Sequence, residues 1–288
     1  MDNHVWQAIL LGIIQGLTEF LPVSSSGHLA IAQELLPGFK QPGILLDVLL
    51  HFGTLIAVIL YFYRDLKHLV LNIAVGAWRA MPLQQSSGQQ SPGWRLLIGL
   101  VVASVPTGII GFLLKNRVEE AFQSLTAVGA ALLGTAVLLV LGDWAARRRF
   151  VGATGRSPLP QDPGIWQSLV IGFMQGLAVM PGLSRSGSTI SAGLIVGLDG
   201  VSAARFSFLL SIPAIAGATL LELLKHHSEI ATASSSEIAG YLSGPLVAGA
   251  VGYACIGLMM RLMTKARLSY FAVYCALLGI AIMLVEYR

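Results

Sequence analysis

Six apolar stretches, each long enough to cross a bilayer as a helix, constrain this chain more than any other feature of its sequence. They run Ile44–Tyr63, Leu96–Leu114, Ala121–Gly142, Phe206–Leu224, Ile238–Met260 and Tyr270–Val285. At about 1.5 Å per residue each reaches most or all of a hydrocarbon core of roughly 30 Å. Composition agrees: 55% of the 288 residues are apolar and only 11% are charged, too few to coat a water-soluble globule. The net charge of +4 does not point to nucleic acid, because the basic residues lie between apolar runs, as topology determinants do. Cys255 and Cys275 sit inside apolar stretches without disulfide or zinc spacing, and read as small core residues. Met1–His4 carries no Lys or Arg, so the N-terminus is read as mature protein rather than a signal peptide.

Four further apolar pieces are too short or too polar to span. Val5–Leu21 and Leu29–Leu36 flank the break Pro22-Val-Ser-Ser-Ser-Gly27. Ile165–Met180 and Ser186–Leu198 flank Pro181-Gly-Leu-Ser-Arg-Ser-Gly187. Paired short helices around a polar turn are expected to form re-entrant hairpins, since irregular backbone at membrane depth must be covered by protein or face a polar cavity. The hairpins match each other: Gln15-Gly16-Leu17 with Gln175-Gly176-Leu177, and Ser24-x-Ser26-Gly27 with Ser184-x-Ser186-Gly187, at an offset of 160. Each is followed by three spans, and that odd number inverts the second half. The expected fold is an all-α polytopic membrane protein with six transmembrane helices and two re-entrant helical hairpins in an inverted-topology repeat. Residues 1–142 form the first repeat, 143–163 a cytoplasmic linker and 164–288 the second repeat. Eleven basic residues fall on one side and five on the other, which places the richer side in the cytoplasm and the first hairpin mouth outside.

Ionisable groups at membrane depth mark function. Glu19 and Gln15, four residues apart, share one helix face and offer oxygen ligands to a hard cation, Mg²⁺ or Ca²⁺. Ser24-Ser25-Ser26-Gly27-His28 opens a helix whose free N–H groups and dipole suit an anion. From the second hairpin come Ser184, Arg185 and Ser186, with Ser188 and Thr189 beyond, and Arg is the residue for bidentate phosphate binding. Together these make a phosphate site near mid-membrane. Ser25 and His28 lie three residues apart on one helix face, so Ser25 is expected to be the nucleophile, or the hydroxyl closest to a phosphorus attacked by water, with His28 handling its proton. Without substrate Arg185 should pair with Glu19. Asp47, His51 and Arg205 are expected to form a structural interior network.

Two long motifs carry a family resemblance: Gln15-Gly-Leu-Thr-Glu19-Phe-Leu-Pro-Val-Ser-Ser-Ser-Gly-His28 and Pro181-Gly-Leu-Ser-Arg-Ser-Gly-Ser-Thr189. With Asp47-Val-Leu-Leu-His-Phe-Gly-Thr54 and Arg205-Phe-Ser-Phe-Leu-Leu-Ser-Ile-Pro213, they extend it over essentially the whole chain. The sequence resembles the undecaprenyl-diphosphatase, or bacitracin-resistance protein, family. The resemblance implies hydrolysis of undecaprenyl diphosphate to the monophosphate and inorganic phosphate at the outer face of the bacterial inner membrane. That reaction recycles the lipid carrier for peptidoglycan synthesis and confers bacitracin resistance. The resemblance implies a catalytic set of Glu19, Ser25, His28 and Arg185, with Gln15, Ser24, Ser26, Gly27, Ser184, Ser186 and Thr189 around the substrate. The family's first motif opens with Glu or Gln; here it is Gln15, leaving one carboxylate. The expected partners are a polyprenyl diphosphate, membrane lipids and a second copy of the chain, and no nucleic acid. A secondary transporter or lipid flippase is the competing reading, because inverted repeats and broken helices also build transporters. In intact cells an impermeant thiol reagent should label cysteines placed near Lys40 and Lys115 but not at Arg147–Arg149; the opposite sidedness would overturn the topology.

Overall fold

A computed structural model describes residues 3–36, 45–78, 92–122, 124–151, 162–225, 233–265 and 267–286. Lys40, Arg79, Arg156, His226 and Arg288 lie outside them, as do the side chains of Arg149 and the flanks of several spans. Eleven helices and no strand occur among the described residues. The first half holds α1 (Asn3–Phe20), α2 (Ser25–Leu35), α3 (Leu45–Tyr61), α4 (Tyr63–Trp78), α5 (Pro92–Phe122) and α6 (Leu125–Val151). The second holds α7 (Ile165–Leu177), α8 (Arg185–Val196), α9 (Gly200–Lys225), α10 (Ser235–Met263) and α11 (Ser269–Glu286).

The chain is all-helical, and its long helices fall on the six apolar stretches. Five, α5, α6, α9, α10 and α11, are long and apolar enough to cross a membrane by themselves. The sixth stretch is split at Phe62, where α4 turns away from α3 by 70°. Arg64, Asp65 and Lys67 follow the bend, and a charged first turn leaves an apolar layer for the interface rather than continuing through it. α6 runs on to Val151, past the position 142 where the sequence pattern ends the first repeat. The extension is held by Asp143, whose carboxylate takes Arg147 on its own helix and the Leu268 N–H and Ser269 hydroxyl at the start of α11. A side chain from one helix thereby caps another, a contact that residue spacing does not reveal.

The two halves interlock by exchange. α1 packs along α10 of the second half, while α7 packs along α5 of the first; α3 lies against α10, and α9 against α5. The reason is written in Gly12 and Gly16 of α1 and in Gly172 and Gly176 of α7, again 160 positions apart. A Cβ on Gly12 would lie 2.4 Å from the Gly244 carbonyl oxygen, and one on Gly172 would lie 2.1 Å from that of Ala103. Apolar lipid offers no hydrophobic drive for helices to associate, so backbone approach at small residues supplies the packing energy instead. Phe20, Phe62 and Phe208 are buried, Phe20 meeting Phe208 edge-to-face at 5.4 Å and Phe62 meeting it at 6.3 Å. This aromatic layer locks the end of α1, hence Glu19, against the middle of α9.

Arg205 is not part of a network with Asp47 and His51. It donates to Asp65 at 2.6 and 3.0 Å and to Asp162 at 3.2 Å, tying α9 to the first turn of α4 and to the segment entering α7. Burial raises the Asp162 carboxyl above its ordinary range against the opposing pull of Arg205. Asp47 accepts from Gln33 at 2.6 Å, joining α2 to α3. Gly172→Ala should separate α7 from α5, at an overpacking cost of about 1–3 kcal/mol that exceeds the gain in helix propensity of roughly 1 kcal/mol. Thermal unfolding in detergent should show a lower Tm for Gly172→Ala and Gly12→Ala, and an equal or higher Tm for Gly217→Ala, whose added Cβ would touch nothing and which gains helix propensity.

Candidate functional site

The two hairpin turns meet tip to tip. α2 begins with Ser24 as N-cap, its hydroxyl accepting from the Gly27 N–H at 3.3 Å; α8 begins with Ser184, its hydroxyl accepting from the Gly187 N–H at 3.0 Å. Such caps satisfy one orphan donor and leave the remaining first-turn N–H groups and the positive dipole end available. The turns are stitched together by the Gly182 N–H donating to Ser26 Oγ at 3.3 Å and by the Ser186 hydroxyl donating to the Leu21 carbonyl at 3.1 Å. Thr135 of α6 braces the second turn, its Oγ1 accepting from the Ser184 N–H at 2.9 Å. Ser24 holds φ at +70°, the one positive value among described non-glycine residues. That conformation costs on the order of 1–3 kcal/mol, and the Ser24 carbonyl, at the N-cap of α2, lies 2.7 Å from His28 Nδ1.

Glu19 is the hub. It is 6% exposed, and its Oε1 accepts from Arg185 Nη2 at 2.6 Å, the pairing expected without substrate. Its Oε2 accepts from the Ser25 hydroxyl at 2.6 Å and from Gln15 Nε2 at 3.0 Å. His51 Nε2 stands 3.6 Å from the same oxygen. Arg185 also reaches the Ser207 carbonyl at 3.4 Å, and the Ser207 hydroxyl bonds Thr189 Oγ1 at 2.6 Å. The structure thus brings together Gln15, Glu19, Ser25 and Arg185 in direct contact, with Ser24, Ser26, Gly27, Ser184, Ser186 and Thr189 holding the two turns in place.

His28 is differently placed from the sequence expectation. Its Nδ1 faces the Ser24 carbonyl and its Nε2 lies 2.7 Å from the Tyr274 hydroxyl, while Ser25 gives its proton to Glu19. Helical spacing put Ser25 and His28 on one face but could not say that a carboxylate from the preceding helix would reach Ser25 first. Sequence reasoning also missed Tyr274, Ser207 and the role of His51. His51 carried a signal, being a His in an apolar helix; Tyr274 carried none, since an aromatic near a span end reads as a belt residue.

Among the described residues no three or more His, Cys, Asp or Glu side chains gather to hold a metal ion. The donor set nevertheless fits a hard cation completed by substrate oxygens and water: one carboxylate, Glu19, beside the Gln15 Oε1, which is buried without a hydrogen-bond partner.

The bacitracin resistance protein family matches residues 8–281. The chain belongs to that family. It is 46% identical to the undecaprenyl-diphosphatase of Syntrophotalea carbinolica over 94% of this chain and 95% of that protein. Likewise it is 44% identical to the undecaprenyl-diphosphatase of Desulfosudis oleivorans over 95% of both chains, and 41% identical to that of Thermomicrobium roseum over 98% of both. The matches span both hairpins, so they cover every residue of the Glu19–Arg185 cluster.

Arg185→Ala would leave the Glu19 carboxylate buried without its guanidinium, a loss of about 3–5 kcal/mol for a broken buried pair. Combining it with Glu19→Gln should recover much of that loss. Thermal unfolding of the two single variants and the double variant checks this, and strictly additive losses would contradict the pairing.

Proposed function

We propose that the chain is an undecaprenyl-diphosphate phosphatase, hydrolysing undecaprenyl diphosphate to undecaprenyl phosphate and inorganic phosphate. The product returns to peptidoglycan synthesis as lipid carrier, and its regeneration confers bacitracin resistance. One observation carries the reading: a serine hydroxyl is hydrogen-bonded to a buried carboxylate whose other oxygen is held by an arginine from the opposite hairpin. A nucleophile, its base and an anion clamp are thereby assembled in a chain closely similar to proteins named for this activity. Transport would not call for a serine delivered to a carboxylate.

In the proposed reaction the diphosphate exchanges Glu19 for substrate oxygens at Arg185, whose planar fork matches a phosphate edge. The N-termini of α2 and α8 point their free N–H groups at the same charge. Ser25 Oγ attacks the terminal phosphorus as Glu19 takes its proton; the bridging P–O bond breaks and undecaprenyl phosphate leaves with the electron pair. Water then attacks the phosphoserine, the Oγ–P bond breaks as Glu19 returns its proton to Ser25 Oγ, and inorganic phosphate is released. His28, anchored at Nδ1, has Nε2 with which to take that water's proton. A Mg²⁺ or Ca²⁺ ion held by Glu19 and Gln15 would neutralise charge on the diphosphate. The inverted repeat is supported by the exchanged packing of α1 with α10 and α7 with α5. The excess of basic residues supports a site opening to the outer face of the inner membrane.

Purified protein in detergent should release phosphate from undecaprenyl diphosphate, and Ser25→Ala should not; near-normal turnover of Ser25→Ala would exclude attack by this hydroxyl. Arg185→Lys keeps the charge but loses the fork, and should lower turnover on the order of 10²-fold, the scale of one lost preorganised donor. Excess EDTA should suppress the activity, and full activity in chelator would remove the cation from the scheme.

A further inference from the structure

We propose that Tyr274, on the last helix, is a positioning residue that holds the plane of His28 and the aim of its Nε2; this rests on the catalytic reading of His28 above. The ring of His28 is held at both nitrogens. Nδ1 lies 2.7 Å from the Ser24 carbonyl oxygen, which can only accept, so Nδ1 carries the proton. The lone pair of the neutral ring is therefore on Nε2, and Nε2 lies 2.7 Å from the Tyr274 hydroxyl, which donates to it. The two rings are nearly parallel, 9° apart with centroids at 5.6 Å, so the tyrosine holds the plane of the imidazole while the Ser24 carbonyl sets its tautomer. The partner of a histidine's second nitrogen decides which nitrogen does chemistry and where it points.

Three features make this arrangement specific to the site. Ser25 is bonded to Glu19, so nothing on α2 itself occupies Nε2. The Ser24 carbonyl belongs to the N-cap residue of α2, which holds a positive φ, so the ring's other anchor is the polar turn itself. Finally, α11 is seated at the hairpin next to Tyr274: the neighbouring Cys275 is fully buried and its thiol donates to the Pro22 carbonyl at 3.6 Å. The helix that carries Tyr274 is thus registered against the first hairpin one residue away. Tyr274 itself is 45% exposed, so its hydroxyl, rather than close packing of its ring, accounts for the contact.

The role is to keep Nε2 pointed at one place, with the Tyr274 hydroxyl holding its lone pair until water or substrate displaces it. No atom of Tyr274 is transferred.

The test is a double-mutant cycle with a chemical readout. Tyr274→Phe keeps the ring and removes the hydroxyl. It should lower kcat for phosphate release about tenfold with KM nearly unchanged, the lower end of the effect of losing such a supporting hydrogen bond. Added to His28→Ala, it should change kcat by less than about twofold, because two residues acting as a unit are not additive. Independently of turnover, diethyl pyrocarbonate should carbethoxylate the His28 peptide faster in Tyr274→Phe than in the unsubstituted protein, read by mass spectrometry. Normal kcat in Tyr274→Phe, additive losses in the cycle, or unchanged carbethoxylation of His28 would each overturn the inference. Full turnover in His28→Ala would instead overturn the catalytic reading of His28, and the positioning role with it; an impaired His28→Ala beside a normal Tyr274→Phe overturns only the role of Tyr274.

Discussion

A carboxylate buried inside a membrane protein must be matched by a cation, and the pair Glu19–Arg185 meets that requirement by joining residues 166 positions apart. The desolvation cost of either charge alone is large, so neither hairpin is electrostatically complete without the other. The remaining polar contacts follow from this closure. Ser25 and Gln15 complete the lone pairs of Glu19, the Ser207 carbonyl takes a second edge of Arg185, and Ser26 and Ser186 stitch the two turns. A diphosphate, being an anion, can replace Glu19 as the partner of Arg185. The resting pair therefore doubles as the vacant form of the proposed phosphate clamp.

The helix packing serves that closure. α1 and α7 each lie against the long second span of the opposite half because glycines let the backbones touch, and this crossing carries the two turns to one point. The aromatic contacts of Phe208 with Phe20 and Phe62 hold the end of α1, which carries Glu19, against α9, which carries Ser207. The second turn presents an arginine where the first presents a serine: Ser25 and Arg185 occupy equivalent positions 160 residues apart. The matching turns thus contribute different side chains to one cluster, Glu19 and Ser25 from the first hairpin and Arg185 from the second.

Much of this was legible along the chain. Apolar runs set the number of spans, and the Pro/Ser/Gly breaks set the hairpins. Glu19 and Arg185 stood out because a charge amid apolar residues has few inexpensive places to go. What the pattern could not resolve was which polar groups touch. Asp47, His51 and Arg205 looked alike as stray ionisable residues in helices, yet they go to Gln33, to the edge of Glu19 and to Asp65 with Asp162 respectively. The partner of each depends on the rotation of its helix against neighbours remote in sequence.

The sequence by itself determined the class of fold, the two polar turns and the charged residues that meet there, because hydrophobic length and the cost of charge in lipid act on local composition. Only the tertiary structure decided that Ser25 answers to Glu19 rather than to His28, that His51 borders the carboxylate, and that Tyr274 from the last helix meets the imidazole. Those contacts are a few ångströms long and join distant helices, so they are set by helix crossing and register, quantities that no local pattern of residues contains.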